Sequence, residues 1–196
     1  MDLLNVQTQP AHCDRVVIIS NERGIMSASL LWVDLEMTGL EPETDRIIEF
    51  AAIATDWQLR EIATIKGIVA QPQAVVDQMV DEVVKMHTDS GLIDKIAEGI
   101  DEADAEQQLL RFIEAHFEDD VYLAGNSIHQ DRRFIRKYWL ELDRKLHYRM
   151  LDVSAWKLVM RERFNVKFAK PEAHRALEDI RGSIEELQLY LNKMSD

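Results

Sequence analysis

This chain has little of what most functional signatures are built from. It holds a single cysteine, Cys13, in 196 residues. That excludes an intrachain disulfide framework and a cysteine-built zinc site, and it is compatible with a reducing cytoplasm. No apolar run approaches the roughly 20 residues that span a bilayer, so no membrane partner is expected. The first residues carry Asp2 and Asp14 with no basic-then-apolar layout, so no export signal is read there and a cytoplasmic location is expected. A glycine-rich phosphate loop, a Ser-His-Asp order, an internal repeat and a low-complexity tract are all missing. Positive charge is scarce too, with 23 Lys and Arg against 36 Asp and Glu for a formal net charge of −13. Binding to long nucleic acid relies on many Lys and Arg contacts and on counterion release, which this balance disfavours. A short oligonucleotide needs only a local basic patch and a cation. The basic residues do cluster at Arg132, Arg133, Arg136 and Lys137, then at Arg144, Lys145, His147 and Arg149. That density also suits a solvated helix face.

What remains fits one globular domain with a full core, since 46% of the residues are hydrophobic and 30% charged. Apolar runs predict strands over Leu30–Leu35, Arg46–Thr55 and Ile62–Val69, then short ones over Val121–Ala124 and Met150–Val153. Between and after the last two, helices are predicted over 132–140, 155–164 and 173–193. Two more are predicted over 74–86 and 103–117. A three-strand meander followed by alternating strands and helices implies an α/β fold with a mixed five-stranded sheet covered on both faces. Residues 1–27 fit this pattern poorly. Val16–Ile19 could form a short strand, but the segment reads as an N-terminal extension to one domain over 28–196.

The most informative residues are Asp34 and Glu36, in Leu30-Leu-Trp-Val-Asp-Leu-Glu-Met-Thr-Gly-Leu40. Residues two apart on a strand share a face, so both carboxylates stand together at a strand end. Like charges that close repel, and burying them unpaired is costly. A divalent cation resolves both problems, and hard oxygen ligands suit Mg²⁺ or Mn²⁺. The triplet alone fits a solvated Asp-x-Glu equally well. A second carboxylate, Asp131, follows a short strand where a helix begins. It reads either as a helix cap or as a site residue at a strand's C-terminal end. A third group is His174 and Asp179 in Pro171-Glu-Ala-His-Arg-Ala-Leu-Glu-Asp179. Positions five apart lie on different helical faces, so His174 can share a site with Asp179 only from the helix start. Glu172 and Glu178 read as surface charges. Four carboxylates and one histidine are the inventory for two-metal phosphodiester hydrolysis, with a base that titrates near neutrality.

These motifs, taken in order, resemble the oligoribonuclease family of histidine-type DEDD 3′→5′ exonucleases, which have a ribonuclease H-like fold. The match runs through Trp32–Leu40, Arg46-Ile-Ile-Glu49, His87-Thr-x-Ser-Gly-Leu92, Gly125-Asn-Ser, Gln130–Phe134, His147–Ser154 and His174–Ile180. It covers about residues 28–193. The acidic motifs indicate the superfamily, and His147-Tyr-Arg…Asp-Val-Ser154 narrows it to this family. The resemblance implies degradation of RNA of two to five nucleotides, dinucleotides especially, to nucleoside 5′-monophosphates. It implies two divalent cations, Mg²⁺ or Mn²⁺, on Asp34, Glu36 and Asp179, with Asp131 completing the site directly or through water. His174 would be the general base. Tyr148 would act across a homodimer interface, Ser127, Arg149 and Ser154 would cap the substrate's 5′ phosphate, and Leu40 would wedge between two bases. Met37, Thr38 and His87 would complete the substrate contacts.

One position departs from the family. A tryptophan that stacks on a base is expected five residues before His87, where this chain has Glu82. Base–aromatic stacking is worth about 1–3 kcal/mol, which a carboxylate does not replace. Another aromatic such as Trp57 would have to compensate, or dinucleotide affinity would be weaker. The rival readings are a sister enzyme that trims longer RNA or single-stranded DNA, and a catalytically silent nucleic-acid-binding protein.

Overall fold

The computed structural model describes residues 16–20, 27–169 and 175–195. Strands β2 (Leu30–Met37), β3 (Ile47–Thr55) and β4 (Glu61–Ile68) form the expected antiparallel meander, and β5 (Val121–Gly125) and β6 (Leu146–Asp152) add in parallel beside β2. A sixth strand, β1 (Val16–Ser20), pairs antiparallel with β4, so the order is β1-β4-β3-β2-β5-β6. The short run read at Val16–Ile19 is thus an edge strand of the same sheet.

Strand alternation sorts the core into two layers. Leu31, Val33 and Leu35 of β2 join Phe50, Ala52 and Ala54 of β3 on one face. Against them pack α3 (Glu102–His116), α4 (His129–Tyr138) and α5 (Leu140–Lys145) through Leu109, Phe112, Phe134 and Leu142. Leu30, Trp32, Ala51 and Ile53 point the other way, under α6 (Val153–Phe164) and α7 (Ala176–Ser195). Trp32 is fully buried there, and its indole N–H donates to Thr55 Oγ1 at 2.9 Å.

Several predicted boundaries move for local reasons. The single helix expected over 74–86 is two, α1 (Gln73–Val76) and α2 (Asp81–Asp89). The break lets Val76 and Met79 both reach a small cluster with Ile48, Leu92 and Ile96. The helix expected over 132–140 starts at His129 and is followed by the separate α5. The last helix begins at Ala176 rather than at 173. Among the described residues, no helix is long and apolar enough to cross a membrane.

Candidate active site

The parity that buries Leu30 and Trp32 under α7 carries Asp34 and Glu36 onto the same face, as period-two alternation requires. Opposite Asp34 across the ladder is Ala51, and opposite Glu36 is Glu49. A register shift follows at once, since Met37 pairs with Ile47 and leaves Ile48 as the extra residue. Such a bulge re-aims the chain at a strand end. From above, α7 brings Asp179, which lies three residues after buried Ala176 and four before buried Ser183, on the sheet-facing side of the helix. Asp34, Glu36 and Asp179 each offer an oxygen, and these atoms all lie within 4.8 Å of one another. All three residues are half-buried.

The cluster is electrostatically loaded. Burial, then the charges of Glu49, Asp179 and Asp131, push the Glu36 carboxyl up to about 7, against a smaller opposing effect of Arg175. Asp131 is not the helix cap that its position allowed. The cap position of α4 is Ile128, and Asp131 Oδ1 accepts the Leu35 N–H at 3.0 Å. That N–H is available because β2 runs on beyond its pairing with β5, which ends at Trp32 and Ala124. Burial holds the Asp131 carboxyl well above the usual carboxylate range, opposed by its backbone hydrogen bonds. Asp131 is close enough for its charge to act on Glu36, although it is not one of the three whose oxygens gather within 4.8 Å. A hard divalent cation fits this donor set. Glu49 Oε2 is buried with no hydrogen-bond partner among the described residues.

Two residues here went unassigned from sequence. Glu49 is 3% exposed in a nine-residue strand that is otherwise apolar but for Thr55, and Arg175 Nη2 donates to its Oε1 at 3.1 Å. A lone acid inside so apolar a strand was the available signal. The Arg175 backbone N–H also donates to Asp179 Oδ2 at 3.2 Å. His174, the residue before it, lies outside the described residues, as does Glu172, while Glu178 is exposed as expected.

Beyond β2 the chain makes a tight loop over 38–45. A Cβ on Gly39 would fall 2.5 Å from Asp45 Oδ2, so a larger residue there would displace the Asp45 carboxylate from its place in the loop. Asp45 accepts from Thr38 Oγ1 at 3.2 Å and from the Glu41 N–H at 2.9 Å. Thr38 is thereby buried, and Leu40 is presented at 68% exposure. Its carbonyl accepts from Gln130 Nε2 at 2.6 Å, which ties the loop to α4. His87 is buried, with Nε2 2.9 Å from the Met37 carbonyl, and burial lowers its pKa. It braces Met37 from beneath and offers no open surface.

The other expected contacts form two groups. Ser127 and Ser154 meet, with hydroxyls 3.1 Å apart. Arg149 lies instead over the ring of Tyr148, 4.5 Å from its centroid. Tyr148 is 71% exposed on the edge strand β6 and ends a row of rings through His147 and Tyr122 to Trp57. Trp57 follows Thr55, which pairs with Leu30. It is thus at the far end of β2 from Glu36, about 20 Å away at 3.3 Å per residue. Within one chain it does not compensate for Glu82, which is exposed on α2. Of the basic cluster, Arg132 is buried against Asp143 at 2.5 Å. Arg133, Arg136 and Lys137 line an open cavity of about 490 Å³ with His129 and Met150.

The exonuclease family profile (RNase_T) matches residues 31–187. The oligoribonuclease of Marinobacter nauticus is 48% identical over 167 residues, covering 82% of this chain and 93% of that protein. The oligoribonuclease of Francisella tularensis subsp. tularensis is 44% identical over 170 residues, covering 85% and 96%. Among solved structures, exonuclease I from Methylocaldum szegediense superposes with a TM-score of 0.69 at 21% identity, covering 86% of this chain and 41% of that one. E. coli exonuclease I in complex with a dA16 oligonucleotide gives 0.64 at 16% identity, covering 83% and 40%. The chain thus spans about two fifths of those solved chains, and at such identities the likeness is one of fold.

Proposed function

The chain belongs to the exonuclease family and within it to the oligoribonucleases, and on that premise we propose that it cleaves RNA of two to five nucleotides from the 3′ end, dinucleotides best. It is a nuclease, and its products in this reading are nucleoside 5′-monophosphates. The observation that carries the proposal is the convergence of Asp34, Glu36 and Asp179 within 4.8 Å at the end of a buried strand. Two Mg²⁺ or Mn²⁺ ions bound there would supply charge stabilisation to the phosphate, the attacking water and the leaving oxygen. Asp34, Glu36 and Asp179 hold them, and Asp131 completes the set. His174, covalently next to Arg175, takes the water's proton. Leu40 wedges between bases, Met37 and Thr38 line the strand end, and His87 keeps Met37 in place. Ser127 and Ser154 receive the 5′ phosphate, and Arg149 joins them on leaving the Tyr148 ring. The exposed Tyr148 on an edge strand reaches a neighbouring copy in a homodimer. Such a capped pocket suits an acidic protein, because it neutralises few phosphates. We place this activity in the cytoplasm, in one domain over 28–196 whose sheet the preceding segment 1–27 extends through β1.

The exposed Glu82 favours one second reading, a trimmer of longer RNA or single-stranded DNA whose site lacks a stacking wall. Turnover of 5′-labelled RNA from two to seven residues long, with Mg²⁺, Mn²⁺ or chelator, separates the two. The proposal expects the dinucleotide to be cleaved fastest and chelator to stop all cleavage. Equal or faster cleavage of the longest RNA would establish the trimmer instead.

A further inference from the structure

Behind the Ser127–Ser154 pair lies a buried polar chain that catalysis does not use. Glu186, on α7, is fully buried. Its Oε1 accepts the Tyr190 hydroxyl at 2.6 Å and lies 3.5 Å from Lys157 Nζ. Its Oε2 accepts from Asn126 Nδ2 at 3.1 Å. The same Nδ2 donates to Ser183 Oγ at 2.9 Å, and Ser183 in turn donates to the Asp179 carbonyl at 2.9 Å. At the other end of the amide, Asn126 Oδ1 accepts the Ser154 hydroxyl at 3.2 Å.

A carboxylate offers no hydrogen, so Glu186 accepts only the NH₂ end of Asn126 and, with Ser183, whose hydrogen goes to the Asp179 carbonyl, fixes which way the amide faces. The consequence passes outward one bond at a time. Ser154 commits its single hydrogen to Asn126 and keeps its lone pairs for Ser127, whose N–H reaches it at 2.9 Å. Ser127 holds a left-handed φ of 50°, a conformation that costs a non-glycine residue on the order of 1 kcal/mol. Its N–H bonds to Ser154 Oγ and, at 3.0 Å, to Asp152 Oδ1 hold it there. With the Ser154 hydrogen committed, the Ser127 hydroxyl is the one that can turn its hydrogen toward an incoming anion.

We propose that Glu186 is a positioning residue for the cap: by orienting Asn126 from inside α7, it sets Ser154 and Ser127 to receive a terminal phosphate of the substrate. This rests on the reading above that the two serines meet that phosphate. A purely structural Glu186 would affect stability without regard to which substrate is offered.

The test compares two dinucleotides of the same bases, one with a 5′ phosphate and one with a 5′ hydroxyl, and reads the ratio of their kcat/KM values. Glu186→Gln presents either end of its own amide to Asn126, and it is expected to lower the ratio about five- to tenfold, through KM of the phosphorylated substrate. Asn126→Ala, which removes the relay, should lower it as much, and the double variant no further. Asn126→Ala also keeps the test alive should Glu186→Gln fail to fold. Tyr190→Phe touches Glu186 from the other side and should shift the ratio less than twofold. A folded Glu186→Gln with the wild-type ratio, beside a Ser154→Ala that loses it, would overturn this inference and leave the cap reading standing. Ser127→Ala and Ser154→Ala variants that both keep the ratio would overturn the cap reading, and this inference with it.

Discussion

Glu36 and Glu186 are two acids that meet opposite company. Glu186 is the more deeply buried, yet it is surrounded by a phenol, an amide and an ammonium group. Glu36 is only half-buried, and the groups that act on it most are Glu49, Asp179 and Asp131. Burial alone therefore does not mark a reactive acid. The neighbours decide, because a hydrogen-bonded and paired carboxylate is finished as it stands, whereas a cluster of carboxylates is completed only by a cation or a proton. The first arrangement belongs to a scaffold and the second to a site.

The largest effect that would break this contrast is at the cluster. Asp34→Ala should lower RNA hydrolysis on the order of a thousandfold or more, since several kcal/mol of charge stabilisation go with the cation. Near-normal turnover by the folded variant would remove the cluster from the chemistry. Next, His174→Ala should reduce kcat about 10²–10⁴-fold with little change in KM, and a loss confined to KM would make it a binding residue. Smaller again is the rescue on mixing inactive Tyr148→Ala and Asp34→Ala proteins. Random exchange in a dimer gives half heterodimers with one intact site each, hence roughly a quarter of wild-type activity. Confirmed exchange without rescue would confine Tyr148 to its own chain.

The smallest effect concerns stability and has a definite sign. The Glu36 carboxyl is raised from 4.5 to about 7 in the folded chain. Its contribution is therefore fully present below about pH 4.5 and lost as pH rises toward and past 7. In chelator, Glu36→Gln should raise the thermal midpoint at pH 8 by about 2–8 °C, corresponding to about 1–2 kcal/mol after solvent screening. Mg²⁺ or Mn²⁺ should stabilise the wild-type chain more at pH 8 than at pH 6, because the ligands must be deprotonated. Equal midpoints for variant and wild type across that range would contradict the loaded cluster.

The strand-end pair was legible because a two-residue period translates directly into a shared face, and Leu30 and Trp32 announce which face it is. The meander and β5 were legible from their apolar runs, whereas β6 begins four residues before the Met150–Val153 run that was read as a strand, because its middle residues are exposed, and Val153 opens α6. Other features depend on contacts distant in sequence. The local sequence left Asp131 open between a cap and a site residue because capping is a local preference, whereas its partner is the Leu35 N–H, 96 residues away. Glu49 joined the site through cross-strand register, and Asn126 gained its role from a helix 60 residues on. What separates Trp57 from Glu82 within one chain is its place at the far end of β2, a matter of register that the sequence does not print.

The most direct test of the central claim is a Mn²⁺ titration followed by electron paramagnetic resonance at pH 8, on wild type, Asp179→Asn and Glu186→Gln. The account predicts two ions bound per wild-type chain, the same two in Glu186→Gln, and loss of binding in Asp179→Asn. Unchanged Mn²⁺ binding without the Asp179 carboxylate would show that the acids gathered at the end of β2 are not the metal site.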